Sequence, residues 1–419
     1  MSSVSAQNSS PIVVVGAGVV GLSTAFRLAR HFPDVVLLDR DEPGMACSFG
    51  NAGHIATEQV FPLASPATLL QAPRLMFGRN RPLSIRGQYA AAILPWLARF
   101  AWASRPAEFR RGTQALASLQ GIALPSLADL CADAGIADQL HQRGHIILVE
   151  NPSLEKAAKA QMQTMAAHGM AVDWLEARQV AAIAPELAAN IGAIRVRDTG
   201  HVADPLSLSQ GLLKAFHAAG GRLLRDEVVA VERQGDGNIQ LHLSSGSPLC
   251  AERVVIAAGA WSKRLAAQTG FDVPLDTERG YHVVAEGWRG QFDIGIASFD
   301  RMTIMTPLDR GLRITGCVEL GGLKLPPSPE RLAALNRHLS ELLPNADTAV
   351  RSEWMGFRPS LPDHLPVISA CPRDRRVFYA FGHQHLGLTL AAVTADAILA
   401  LMTGTPARVD LAPFRIERF

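Results

Sequence analysis

Gly16, Gly18 and Gly21 stand in the spacing G-x-G-x-x-G, and an acid, Asp39, follows them. The pattern suits a pyrophosphate. The first glycine permits a tight turn, the second lets backbone approach the phosphates, and the third packs a helix against a strand. An acid placed beyond them can accept hydrogen bonds from a ribose. The flanking residues supply the elements that such a site needs. PIVVVGAGVVG, residues 11–21, is a β-branched run ending in glycines. LSTAFRLARHF then carries Leu22, Ala25, Phe26 and Ala29 at helical spacing, and VVLLDR reads as a second buried strand with Asp39 at its tip. The unit predicts dinucleotide binding and leaves NAD and FAD open.

With 419 residues, 48% of them hydrophobic and 19% charged, the chain has material for two domains, or for one wrapped around another, and its composition excludes disorder and a coiled coil. Lys+Arg 40 against Asp+Glu 38 gives a net charge of +2 and no reason to expect nucleic acid. Cys47, Cys131, Cys250, Cys317 and Cys371 are scattered and never spaced C-x-x-C, which argues against a disulfide framework or a Cys-based metal site and fits a reducing compartment. H-E-x-x-H and G-x-S-x-G are absent, so no metal or Ser/His/Asp mechanism is expected. MSSVSAQNSS reads as a frayed tail rather than a targeting segment. Arg99 and Asp396 interrupt the two longest apolar runs below the ~20 residues of a membrane span, so no spanning segment is expected.

Farther along, residues 161–181 read as helix, 191–197 as a strand, 205–219 as an amphipathic helix, and Leu223, Val228 to Arg233 and Ile239 to Leu243 as short strands. VVIAAGAWS, residues 254–262, is an apolar strand ending in a glycine turn that fits a second close backbone approach to a cofactor. Helices are expected over residues 331–343 and 388–401. Between Pro73 and Arg111 stand eight arginines (Arg74, Arg79, Arg81, Arg86, Arg99, Arg105, Arg110, Arg111) against one acid, Glu108, interleaved with aromatic residues. Ile93, Trp96, Leu97, Phe100 and Ala101 share one helical face. Two readings stand: the stretch meets an anionic membrane surface, or the apolar face packs on the protein's own core while the arginines stay solvated.

RDEPGMACSFGNAGHI, ERGYH, MGFRPSLPDHLPVIS and GHQHLGLT together, in that order, resemble the D-amino-acid oxidase superfamily of FAD enzymes, and within it the bacterial D-amino-acid dehydrogenases. The resemblance runs over nearly the whole chain and is weakest from Ser118 to Ala182. It implies a mixed α/β fold: a Rossmann-like FAD-binding domain from residues 10–55, 195–275 and 355–419, with an inserted antiparallel-sheet substrate domain from 56–194 and 276–354. It implies FAD as cofactor, with contacts from Gly16, Gly18, Val19, Gly21, Asp39 and Arg40, and from Val228, Gly259 and Trp261. The loop Ser48, Asn51, Ala52, Gly53 would carry ribityl and ring contacts, and Gly382, Leu386, Gly387, Leu388 and Thr389 the C-terminal ones.

In the motif Gly356-Phe357-Arg358-Pro359-Ser360-Leu361-Pro362-Asp363, the resemblance makes Arg358 the clamp for a substrate carboxylate, whereas on its own it would read as a surface or ion-pair arginine. Tyr281 and Arg279, at the start of an alternating strand, would lie over the flavin or near that carboxylate. His54, just after the flavin loop, would bond the substrate amine or the flavin; some dehydrogenases of this type carry Gln there. The implied reaction is oxidation of a D-amino acid by hydride transfer from Cα to flavin N5, giving a 2-oxo acid and ammonia, with electrons passed to a quinone or respiratory acceptor. The expected setting is the cytoplasm, with peripheral contact at the inner membrane face. Alternatives are a cyclic imino-acid or N-methyl amino-acid enzyme acting on D-proline, D-hydroxyproline or sarcosine, and a non-catalytic FAD-bearing subunit.

Overall fold

The β-branched run Ile12–Val15 pairs in parallel on both sides, Ile12 opposite Val35 and opposite Arg253, which makes it a central strand buried on both faces. In the computed structural model, which describes residues 10–419 apart from 79, 236, 349 and 350, it belongs to a six-stranded sheet. The order is Arg222–Arg225, Val35–Asp39, Ile12–Val15, Arg253–Ile256, Asp374–Phe381, Val367–Cys371, the first five parallel and the last antiparallel. Arg79 and residues 1–9 of the expected tail lie outside the described residues.

Helices Val19–Ala29, Pro205–Ala218 and Ala391–Thr403 cover one face, where Leu22, Phe26, Leu212, Phe216 and Ile398 meet Val14, Leu37 and Val255. On the other face Val13, Leu38 and Ile256 pack with Val231 and Leu241 of a three-stranded sheet, Val228–Arg233, Ile239–Leu243 and Leu249–Ala251. A nine-stranded sheet forms the second layer system. Its strands run Arg351–Ser360, Asp276–Glu286, Gly311–Leu320, Thr303–Leu308, Gly295–Ser298, His145–Val149, Gly192–Val196, Val172–Glu176, with Leu83–Ile85 added beside Gly311–Leu320. Its pairs are antiparallel except where His145–Val149 and Leu83–Ile85 join. The fold is thus mixed α/β, a Rossmann-like sheet with a largely antiparallel sheet beside it. Two domain limits expected from the sequence, at 195 and 355, fall inside strands, and both strands lie wholly in the nine-stranded sheet.

Four local differences from the sequence reading have physical causes. Val172–Glu176 is a strand because Val172 to Glu176 pair with Gly192–Val196, overriding the helical pattern of residues 161–181. The C-terminal helix starts at Ala391, three residues late, because residues 387–390 turn instead. Pro106–Asp133 is a 28-residue helix carrying Gly112, Gly121 and Pro125. It is long and apolar enough to cross a membrane by length and composition, yet Ala115, Leu116, Leu119, Ala123, Leu127 and Leu130 are buried in the core under the six-stranded sheet. In helix Ala90–Ala103, Ile93 and Trp96 are buried against Leu320, with Leu97 and Phe100 packed beside them, so that face belongs to the protein's own core; Ala101 is exposed.

Candidate functional site

At the carboxyl ends of the parallel strands lies a groove open to solvent. Gly16, Gly18, Val19, Asp39, Arg40, Ser48, Asn51, Val228, Gly259, Trp261, Gly387 and Leu388 all line it. Gly16 has φ +110°, and a Cβ there would sit 2.4 Å from the Ala257 carbonyl oxygen, so only glycine fits the turn. A Cβ on Gly21 would fall 1.8 Å from the Gly16 oxygen; this glycine packs helix against turn and does not face the groove. Ser48 Oγ accepts from the Val19 N–H at 2.9 Å and so stands at the N-terminus of helix Val19–Ala29, where a diphosphate gains from the helix dipole. Asp39 accepts from Ala17 N–H at 2.6 Å and Asp41 N–H at 2.9 Å; burial pushes its carboxyl upward. Arg40 stacks 4.4 Å over the Trp261 ring. These residues fit the ADP half of FAD, and they would hold it.

The loop that follows is held from the other sheet. Asn51 Oδ1 accepts from Gly53 N–H at 2.8 Å, so this side chain shapes the turn. Arg313, fully buried on Gly311–Leu320, donates to the carbonyls of Phe49 and Asn51. Burial pulls its guanidinium down to about 10. The sequence reading missed Arg313, since nothing local to it marks a partner some 260 residues away in the chain. It also missed the groove residues Cys47, Phe357, Pro359 and Gln384, although three of them directly flank Ser48 or Arg358. Burial raises the Cys47 thiol to about 11, away from the thiolate form.

Ala52, Gly53, Gly382, Leu386 and Thr389, expected at the cofactor, do not line the groove. Gly53 (φ +77°) and Gly382 (φ +84°) are there for their turns. Leu386 is buried in the core, and Thr389 Oγ1 accepts from Ala56 N–H at 3.0 Å, tying the C-terminal turn to the segment after the flavin loop.

Phe357 and Pro359 line the groove, and Arg358 between them is half-buried. Its guanidinium donates to the Cys317 carbonyl at 3.3 Å, and among the described residues no carboxylate lies within ion-pair range of it. A cation left unpaired in a partly dry place is a ready anion site. In the register of the two strands Glu278 faces Arg358, so Gly280 is its diagonal neighbour. A Cβ on Gly280 would lie 2.5 Å from the guanidinium carbon. Gly280→Ala is therefore expected to move the guanidinium and leave the fold intact, raising KM about tenfold, a change of ~1.4 kcal/mol, with flavin content unchanged.

Arg279 and Tyr281, expected over the flavin or near the carboxylate, do not line the groove. Arg279, fully buried, pairs with Glu319 at 2.7 Å and donates to the carbonyls of Pro326 and Leu325. Tyr281 donates to the same Glu319 oxygen at 2.8 Å and accepts from Ser328 N–H at 3.1 Å; burial and the carboxylate beside it push its hydroxyl up to about 12. Both side chains are engaged in one buried network around Glu319. His282 stacks on Trp354 at 5.1 Å and contacts the Gly50 carbonyl at 3.2 Å, beneath the flavin loop.

His54 is buried, its Nε2 3.0 Å from Glu58 Oε1 and its Nδ1 3.2 Å from the Gly200 carbonyl. It does not line the groove. Burial works to raise Glu58, but the neighbouring histidines and the His54 hydrogen bond outweigh it and hold the carboxyl at about 2. His385 bonds Gln59, next in the chain to Glu58.

Comparison with known proteins agrees with this geometry. Residues 11–401 match the family described as FAD dependent oxidoreductase, DAO. The chain is 31% identical to a D-amino-acid oxidase of Bradyrhizobium diazoefficiens over 97% of this chain and 98% of that one. It is 30% identical to a D-amino acid dehydrogenase of Cereibacter sphaeroides over 97% and 95%. Among solved structures it resembles glycine oxidase from Geobacillus kaustophilus (TM-score 0.72, 23% identity, 97% and 98% covered) and L-proline dehydrogenase from P. horikoshii (TM-score 0.73, 18% identity, 98% of each covered). A pyrophosphate turn, a groove at the strand ends and a match over almost the entire length make one conclusion: the chain belongs to the DAO family and is an FAD-dependent amino-acid oxidoreductase.

Proposed function

We propose that the protein oxidises a D-amino acid to the 2-imino acid, which hydrolyses to a 2-oxo acid and ammonia, and that it hands the electrons to a quinone of the respiratory chain at the inner membrane face. The observation that carries this reading is Arg358, a half-buried guanidinium flanked in the chain by two groove residues and, among the described residues, with no carboxylate in ion-pair range. FAD supplies the hydride acceptor when bound. Arg358 binds the substrate carboxylate with two parallel donors, and Gly280 leaves the room for that orientation. Fixing one end of a small substrate fixes which face of Cα meets the cofactor, and orientation of this kind supplies much of the rate. The amine loses its proton before or on binding, so no dedicated base is required. The names of the relatives at about 30% identity support the D-configuration.

For the acceptor, support comes from the dehydrogenase relatives and from the surface of residues 66–111. Leu70, Phe77, Leu94 and Trp102 are exposed there, and helix Pro66–Phe77 buries none of its residues. Arg105 lies 3.2 Å over the exposed Trp102 ring, a pairing suited to an anionic interface.

The test is anaerobic. Purified flavoprotein receives D- and L-amino acids, D- and L-proline, D-hydroxyproline, sarcosine and glycine one at a time while the flavin band is followed. Bleaching by D-amino acids and not by their L-forms is expected. Fast bleaching by glycine, sarcosine or an L-substrate, with slow D-amino acids, overturns the substrate assignment. Reoxidation is then timed with a soluble quinone, with quinone in anionic vesicles, and with air. Vesicle-borne quinone is expected to be fastest, and reoxidation fastest in air would make the enzyme an oxidase.

A further inference from the structure

We propose that His54, Glu58 and His145 form a binding site for a borderline divalent first-row cation such as Zn2+, with one ring nitrogen of each histidine and the Glu58 carboxylate as ligands. The ligand atoms lie within 4.8 Å of one another, and all three residues are buried. Tetrahedral zinc at about 2.0–2.1 Å from each donor would draw them to about 3.3 Å, a closure within reach of side-chain rotation.

The polar accounting of the cluster favours a cation over a proton. His54 Nδ1 faces the Gly200 carbonyl at 3.2 Å, an acceptor, so Nδ1 carries hydrogen. In the neutral ring Nε2 then presents a lone pair to Glu58 Oε1 at 3.0 Å, lone pair against lone pair, unless a positive centre lies between. A single proton there satisfies only that contact. It leaves Glu58 Oε2 and His145 Nδ1 buried without partners. The His145 ring stands edge-on to His54 at 4.5 Å, close enough for one cation to serve all three residues. A backbone carbonyl accepting from the far nitrogen of a ligating histidine is also the outer-shell arrangement that fixes the ligating tautomer.

Two imidazoles and a carboxylate, with no thiolate, suit Zn2+, Fe2+ or Co2+ and are poor for Mg2+ or Ca2+, which take oxygen. No spacing in the sequence announces the set. His54 leaves the flavin loop on strand His54–Ile55, Glu58 follows four residues on, and His145 begins a strand of the nine-stranded sheet. A cation here would therefore staple the flavin loop to that sheet.

The experiment uses the FAD-loaded protein, stripped with chelator and titrated with Co2+, then with Zn2+ in competition. One equivalent of Co2+ is expected, with ligand-field absorption to the red of the flavin bands, displaced by Zn2+, and a higher melting temperature with Zn2+. Glu58→Gln and His145→Asn are expected to lose affinity by more than the roughly 10- to 100-fold that outer-shell changes cost. X-ray absorption on the unaltered protein reads the ligands without any variant, with two imidazoles and no sulfur expected. Failure to retain Co2+ or Zn2+, a sulfur in the shell, or undiminished affinity in folded Glu58→Gln overturns the proposal and leaves a proton between His54 and Glu58.

Discussion

Arg358→Ala is expected to keep bound FAD and lose 30- to 5000-fold in kcat/KM on the best amino acid, equivalent to about 2–5 kcal/mol for removing one partner of a desolvated carboxylate pair. The selectivity of the effect follows from where the side chain sits. Its neighbours Phe357 and Pro359 line the cofactor groove, and among the described residues Arg358 itself donates only to the Cys317 carbonyl, so its removal breaks no ion pair there. The flavin spectrum and melting temperature therefore stay near those of the parent. Arg358→Lys separates charge from geometry. A lysine restores a point charge without the two parallel donors, so it is expected to recover part of KM and little of kcat. Steady-state kinetics with flavin quantification on both variants makes the check, and near-normal kcat/KM in Arg358→Ala would remove this residue from the substrate site.

Glu319→Gln is expected to be the most destabilising single change in the nine-stranded sheet, by about 3–5 kcal/mol, because it leaves the Arg279 guanidinium charged and fully buried. Glu319 is itself 1% exposed, binds Arg279 and the Tyr281 hydroxyl directly, and has Arg86 3.7 Å away. Glutamine keeps the shape and can still accept from Tyr281, so the loss reports charge rather than packing. The double variant Arg279→Met with Glu319→Gln is expected to recover much of the stability, since removing both charges removes the desolvation penalty of each. Thermal and denaturant melts of the single and double variants measure the coupling. An Arg279→Met variant that melts like the parent but has lost substrate binding would return Arg279 to the substrate site.

The contrast between these two arginines shows what a sequence can and cannot reveal. Both stand in family-like motifs, yet Arg279 is silenced by Glu319, forty residues away on the adjacent strand, and Arg358 has no such partner among the described residues. Which arginine is free depends on a strand register that no local pattern encodes. The N-terminal unit was legible because everything it needs is contiguous: turn, helix and acid lie within residues 12–39 and meet in the expected places. The C-terminal loop was legible in part; Gly387 and Leu388 line the groove, while Thr389 turned out to hold Ala56. Pro106–Asp133 escaped notice because two glycines and a proline inside it look like breaks, and only burial of one face overrides that local cost. Glu58 had no signal at all, since its partners His54 and His145 come from separate sheets.

The strand order of the six-stranded sheet also bears on the protein's life on the ribosome. Ile12–Val15 is made early, but its neighbour Arg253–Ile256 appears more than two hundred residues later, and the next strand, Asp374–Phe381, only near the end. Closing contacts so distant in the chain is slow, and Ile12–Val15, although it can pair early with Val35–Asp39, waits meanwhile for its other neighbour. The helix that seals their outer face, Ala391–Thr403, is made later still, and the groove is incomplete before Gly387 and Leu388 are in place. Cofactor capture therefore waits until Gly387 and Leu388 have been made, long after the pyrophosphate turn itself.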